Sequence, residues 1–162
     1  MTTLFSLFKI YRWNWGRRAT EKNLEDFNNL IRQLKLDDTS TEPLQGKTMD
    51  DFQNFMGVLQ HSFIVAEDPA TGRIVGMASL HWKPLLAHGL IGEVEEFVVD
   101  KDWRGTGLAD MLDEELRAVA REFGICEIRL TSNPLRVDAN KFYKRRGYKL
   151  YDTNNYRLRL PI

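Results

Sequence analysis

Apolar residues recur along the chain with two different periods. Between residues 20 and 60 the period is helical. Leu24, Phe27, Leu30, Ile31 and Leu34 share one face behind a start signal at Thr20–Asn23. Phe52, Phe55, Met56 and Leu59 give a second, shorter stripe within Asp50 to Gln60, and the polar, turn-rich stretch 37–47 reads as the loop between them. The pattern then turns β-like. Ser62 to Glu67 and Arg73 to Trp82 read as strands joined by the turn Asp68-Pro69-Ala70-Thr71-Gly72, and Leu90 to Asp100 as a third. Leu108, Leu112, Leu116, Val119 and Phe123 restore a helical stripe over 107–123, which Gly124 ends. Glu127 to Thr131 predicts a strand, Asp138 to Arg146 a helix stopped by Gly147, and Tyr148 to Tyr151 a further strand. Tyr156, Leu158 and Leu160 alternate with Arg157 and Arg159, which predicts a last half-buried strand. At the other end, Trp15 to Ala19 reads as the first strand and residues 1–15 as an N-terminal extension.

The resulting order is β-α-α-β-β-β-α-β-α-β-β, an α/β chain with a mixed sheet and helices on both faces. The 162 residues, with no linker or repeat, fit one domain spanning 1–162. Lys+Arg and Asp+Glu both total 23, so the basic excess of a nucleic-acid binder is missing and no nucleic-acid partner is expected. The single cysteine, Cys126, forbids an intrachain disulfide and fits a reducing compartment; beside Ile125 and Ile128 it reads as core. Leu4 to Trp15 carries Lys9 and Arg12 and is far short of the ~20 residues that span a bilayer. It also lacks the order of a signal peptide, so a cytoplasmic protein without a membrane partner is expected.

The densest chemistry lies between a strand and a helix, in Asp100-Lys101-Asp102-Trp103-Arg104-Gly105-Thr106-Gly107-Leu108-Ala109. A helix start leaves backbone N–H groups unpaired and carries positive potential. Gly105 and Gly107 remove the Cβ atoms that would keep an anion away, and Arg104 adds charge. A Walker loop needs GxxxxGK[ST], and no Lys-Ser or Lys-Thr pair follows these glycines. A dinucleotide fingerprint needs a third glycine where Asp110 stands. A coenzyme A loop of the form R/Q-x-x-G-x-G/A is met by Arg104, Gly107 and Ala109. A plain helix-start turn also accounts for the segment taken alone.

Downstream lies a second motif: Ala139, Phe142, Tyr143, Gly147 and Tyr148 satisfy A-x-x-F-Y-x-x-x-G-F/Y. With both motifs in order and a helix and strand between them, the chain resembles the Gcn5-related N-acetyltransferase (GNAT) superfamily over roughly 17–160. The resemblance implies a mostly antiparallel sheet with a V-shaped splay, and acetyl-coenzyme A as co-substrate. It places the pantetheine arm on the backbone of Phe97, Val98 and Val99. The pyrophosphate would lie on Arg104, Gly105, Thr106, Gly107, Leu108 and Ala109, with further cofactor contacts from Asn133 and Asn140. Tyr143 matches the tyrosine beside the cofactor sulfur, where a phenol can protonate a departing thiolate. Arg136 stands where the family often has an asparagine.

A base must deprotonate the attacking amine. Glu93, Glu95 and Glu96 lie together on the strand before the loop; alternation puts Glu93 and Glu95 on one face and Glu96 on the other, unless a bulge upsets the parity. The resemblance offers precedents at Glu96 and Glu93, with Glu96 favoured, and three carboxylates favour a small cationic amine as acceptor. His61, His81 and His88 show no metal-ligand spacing, so no metal is expected. Trp82 and Trp103 are read as packing or as pocket lining. The expected activity is direct transfer from acetyl-coenzyme A to a primary amine. Action on protein amines, or a coenzyme A-binding module without turnover, are the alternatives. The resemblance also allows a homodimer.

Overall fold

The computed structural model describes residues 8–14, 17–34, 46–156, 158 and 160. Contacts divide the chain into two units, Met1–Thr131 and Ser132–Ile162. The first holds a five-stranded sheet in the order β1-β2-β3-β4-β5, made of β1 Lys9–Trp13, β2 His61–Asp68, β3 Arg73–Leu85, β4 Gly89–Val99 and β5 Glu127–Arg129. The first four strands are antiparallel neighbours, and β5 joins β4 in parallel. The helices α1 (Glu21–Gln33), α2 (Met49–Met56) and α3 (Leu108–Phe123) belong to the same unit. Among the described residues no helix is long and apolar enough to cross a membrane.

Helices α1 and α2 each open on a capping box, Thr20 with Asn23 and Thr48 with Asp51, which satisfies N–H groups that the helix leaves free. The alternation along β2 sorts the core into two clusters. Phe63 and Val65 join Trp13, Phe27, Leu30, Met56 and Ile74 on the α1/α2 side, whereas Ile64 and Ala66 join Leu80, Leu108, Leu112, Leu116 and Val119 on the α3 side. Gly76 lets α3 sit close: a Cβ there would lie 3.1 Å from Leu112 Cδ1. On α1, the buried carboxylate of Asp26 accepts from Arg73 Nε at 3.2 Å and Ile74 N at 2.9 Å, which ties the helix to the start of β3. Pro84 is tolerated inside β3 because β2 pairing ends at His81.

Three expectations are corrected. The first strand is Lys9–Trp13, inside the segment read as an extension, and not 15–19. Residues 17–19 are not strand, and 15–16 lie outside the described residues. The charges at Lys9 and Arg12 interrupt the apolar pattern of the segment. Arg12 instead reaches Glu115 at 2.8 Å and Glu122 at 2.5 Å on α3, and Trp13 is buried among Phe27, Phe52 and Phe63. The strands expected at Tyr148 to Tyr151 and Tyr156 to Leu160 do not form among the described residues. Alternating side chains make a strand only where a neighbouring ladder takes up the backbone groups; Leu150, Tyr151, Tyr156, Leu158 and Leu160 are exposed, and 157 and 159 lie outside the described residues. Cys126 is exposed, just ahead of β5, and its thiol donates to the carbonyls of His88 and Leu90 at 3.2 and 3.3 Å.

Leu116 is wholly buried at the centre of the α3 stripe. Leu116→Ala is expected to destabilise the protein by about 2–5 kcal/mol in chemical denaturation, by lost transfer energy plus the cavity left behind.

Candidate active site

The register between β3 and β4 slips at one point. Met77 faces Val98 and Ser79 faces Glu95, so β3 advances two residues where β4 advances three. The extra residue is accommodated at Glu96, whose φ is +47°, a left-handed conformation rare for a residue with a side chain. In an unbroken strand Glu96 would share the side of Val94, which packs toward α3. The bulge turns it the other way, and Ser79 Oγ donates to Glu96 Oε2. All three glutamates therefore lie on the α1/α2 side. The bulge overturns the alternation-based separation of Glu96 from Glu93 and Glu95.

The three carboxylates differ in their partners. Glu93 pairs with Lys83 Nζ at 3.0 Å, and Glu96 holds the Ser79 hydroxyl. Glu95 has no hydrogen-bond or ion-pair partner among the described residues. It keeps access to solvent, yet partial desolvation, then the charges of Glu96 and Glu93, push its pKa above the ordinary glutamate value. Across the sheet, His61 pairs with His81 and His81 with Glu93. Neither histidine entered the expected site, because the signal that joins them is strand register and not sequence spacing.

Strand β5 pairs with β4 only at Ile91, Gly92 and Glu93. Strand β5 ends at Arg129, so β4 beyond Glu93 has no β5 residue alongside it. Phe97 packs toward α3, Val98 toward α1/α2 and Val99 toward α3, with Val98 and Val99 buried.

The loop that follows is held from two sides. Asp100, 5% exposed, accepts from Asp102 N at 3.0 Å and from Asn29 and Gln33 of α1 at 3.2 and 3.3 Å. Gln33 Oε1 in turn accepts from Lys101 N at 2.9 Å. A 3-10 turn, Lys101–Trp103, leads to Arg104, whose Nε donates to Val99 O at 3.3 Å; Thr106 Oγ1 donates to Trp103 O at 2.7 Å. Gly105 and Gly107 have φ of +76° and +88°. Gly107 is the N-cap of α3 and, as a glycine, offers no side-chain cap, so the first-turn N–H groups near Leu108 and Ala109 are not claimed by a capping side chain. An uncapped helix start of this kind leaves backbone N–H groups available to an acceptor. Asp110, in the same turn, is half-buried. Trp103 meets Phe8 edge-on and Trp82 stacks on Phe123, so both pack against aromatic neighbours.

In the second unit, α4 (Val137–Arg145) carries Tyr143, buried and in edge contact with Phe142 and Tyr148 at 5.4 and 5.6 Å. Asn140 Nδ2 donates to Asn133 O at 2.8 Å, and Asn133 Oδ1 accepts from Leu135 N at 2.9 Å, so both asparagines shape the turn that opens α4.

A bulged strand followed by a glycine-opened helix start is the frame in which the comparisons with known proteins are read. The description "Acetyltransferase (GNAT) family" matches residues 10–148, and the chain belongs to that family. It is 31% identical over 141 residues to a glucosamine 6-phosphate N-acetyltransferase of Trypanosoma brucei brucei, covering 84% of this chain and 89% of the relative. It is 40% identical over 79 residues to an aminoalkylphosphonate N-acetyltransferase of Salmonella typhimurium, a match that spans 48% of this chain and 51% of the relative. A solved Trypanosoma brucei acetyltransferase superimposes with a TM-score of 0.71 at 26% identity, covering 94% of this chain and 99% of that one. A glucosamine-6-phosphate N-acetyltransferase structure from Arabidopsis thaliana gives a TM-score of 0.72 at 21% identity over 93% and 97% of the two chains, a likeness of fold. The protein is an N-acetyltransferase of this family.

Gly107→Ala places a side chain at φ +88°. The expected effect is a loss of about 1–2 kcal/mol of stability from the left-handed penalty, read by thermal melting.

Proposed function

We propose that the protein transfers the acetyl group of acetyl-coenzyme A directly to the primary amine of a small acceptor. The observation that carries this reading is Glu95, a solvent-accessible carboxyl with no partner among the described residues and a raised pKa, on the strand that carries the bulge and leads to the Arg104–Ala109 loop. The residues present fit the co-substrate: Gly105 and Gly107 keep the uncapped end of α3 open to a pyrophosphate, and β4 beyond Glu93 has no β5 residue alongside it.

The glutamates attract an ammonium. Glu95 removes a proton from it, directly or through one water, because Glu93 and Glu96 are already engaged by Lys83 and Ser79. Glu95 thus takes the role first expected of Glu96 or Glu93, which serve to raise its basicity. The freed nitrogen attacks the thioester carbonyl; the C–N bond forms, the C–S bond breaks, and the thiolate requires a proton. Tyr143 is assigned as that donor by its place in the motif. Positioning both reactants supplies much of the rate. The relatives named for glucosamine 6-phosphate and aminoalkylphosphonate support a small amine as acceptor, one that carries a phosphorus oxyanion.

Two measurements test this. Calorimetric titration of acetyl-coenzyme A is expected to show saturable binding to the wild type and none to Gly107→Trp; no binding to the wild type would overturn the reading. With an amine substrate found by thiol release, Glu95→Gln is expected to lower kcat/KM by about 10²–10⁴-fold. The sign of the pH effect follows from the raised pKa. Below it Glu95 is protonated and cannot act as a base, so the acid limb of wild-type kcat/KM lies above the ordinary carboxylate range. That limb disappears in Glu95→Gln.

A further inference from the structure

A cleft of about 390 Å³ lies between α1 and the start of β3, and none of the residues assigned to acetyl transfer lines it. Lys22, Glu25, Asp26, Asn29 and Arg32 come from one face of α1, where spacings of three and four residues bring side chains together, and Arg73 closes the cleft from β3. The volume is that of a small-molecule site. Bonding inside it is unevenly spent. Asp26 is buried and uses one carboxylate oxygen on Arg73 Nε and the other on Ile74 N. Arg73 is thereby fixed through Nε, while its two terminal nitrogens have no hydrogen-bond partner among the described residues. Asp68, whose charge also reaches Arg73, is buried and already accepts from Ala70 N and Thr71 Oγ1. Arg32 is exposed, with no hydrogen-bond or ion-pair partner among the described residues. Lys22 Nζ gives one of its three hydrogens to Thr71 O at 2.9 Å. Against these cations stands Glu25, exposed and without a partner among the described residues.

We propose that this cleft is a regulatory site for a small phosphate monoester that carries a hydroxyl or amino group. The phosphate oxygens take the free N–H groups of Arg32 and Arg73 and the Lys22 ammonium, and the donor on the body of the ligand meets Glu25. A phosphate monoester carries nearly two charges and three acceptor oxygens at neutral pH, which suits two guanidinium forks and an ammonium better than a lone carboxylate does. Arg73 is already held in place by Asp26, so little of its freedom is lost on binding. The route to the acetyl-transfer loop is short. Asn29, on the cleft wall, donates to Asp100 Oδ2 at 3.2 Å, and Asp100 Oδ1 accepts from Asp102 N at 3.0 Å. A ligand that draws on the Asn29 amide therefore acts on the group that holds the loop ahead of α3. The regulatory role rests on the acetyl-transfer reading above, whereas the binding itself does not.

The test is an amide-NMR titration of the intact chain with inorganic phosphate and with glucose 6-phosphate, which has no amine to acetylate. Saturable shifts are expected along α1, at Arg73 and at Asp100–Asp102, with glucose 6-phosphate binding more tightly than inorganic phosphate. Arg32→Ala is expected to weaken binding about tenfold or more, and Arg32→Glu to abolish it. Arg32 is exposed and holds nothing else in place among the described residues, so both variants keep the fold. Gly107→Trp, which closes the helix start where an anion could also settle, is expected to leave the titration unchanged. Absence of saturation by either probe at millimolar concentration overturns the proposal. So do shifts that survive Arg32→Glu or vanish in Gly107→Trp. The regulatory role is read from the Kd of acetyl-coenzyme A with and without saturating glucose 6-phosphate. The two values are expected to differ in the wild type and to coincide in Arg32→Glu; equal values in the wild type, or a difference that persists in Arg32→Glu, overturn it. Failure of the acetyl-transfer reading shows separately, as a wild type that binds glucose 6-phosphate in the cleft and no acetyl-coenzyme A.

Discussion

The bulge at Glu96 is the constraint on which the rest of the site depends. Holding a non-glycine residue at φ +47° costs on the order of 1–3 kcal/mol, and the surrounding contacts must maintain it. The Ser79 hydroxyl does so from one side and the Met77–Val98 pairing from the other. One inserted residue then has three effects. Glu96 joins Glu93 and Glu95 on the α1/α2 side, the electrostatic crowding raises the Glu95 pKa, and every side chain after the bulge changes face. Val98 enters the α1/α2 cluster because of that shift, whereas Val94 four residues earlier packs on α3.

The central part of the fold was readable from period alone. The α1 and α3 stripes, the hairpin at 68–72 and the glycine stop at Gly124 all form where apolar spacing and turn chemistry place them. What failed was at the ends. The segment of β1 carries Lys9 and Arg12, and no local pattern reveals that Arg12 pairs with α3 residues about a hundred positions away. At the other end, alternation in 156–160 expresses strand propensity, and propensity does not supply a partner. Within the candidate site, the left-handed turns at Gly105 and Gly107 could be read because glycine states backbone freedom directly. The choice among the glutamates could not, since it rests on a bulge and on Lys83 and Ser79, which register alone brings alongside. The histidine stack is of the same kind: His61 and His81 are twenty residues apart and meet only because β2 and β3 pair as they do.

The carboxylate of Asp100 has one more consequence. It is bonded at once by Asn29 and Gln33 of α1 and by the backbone of the loop that leads to α3. A single buried group thus ties α1 to that loop. Any displacement of that loop is passed to α1 through the bonds from Asn29 and Gln33 rather than dissipated in solvent. In such an arrangement the loop and α1 cannot shift independently of one another, and the joint between them is one buried aspartate.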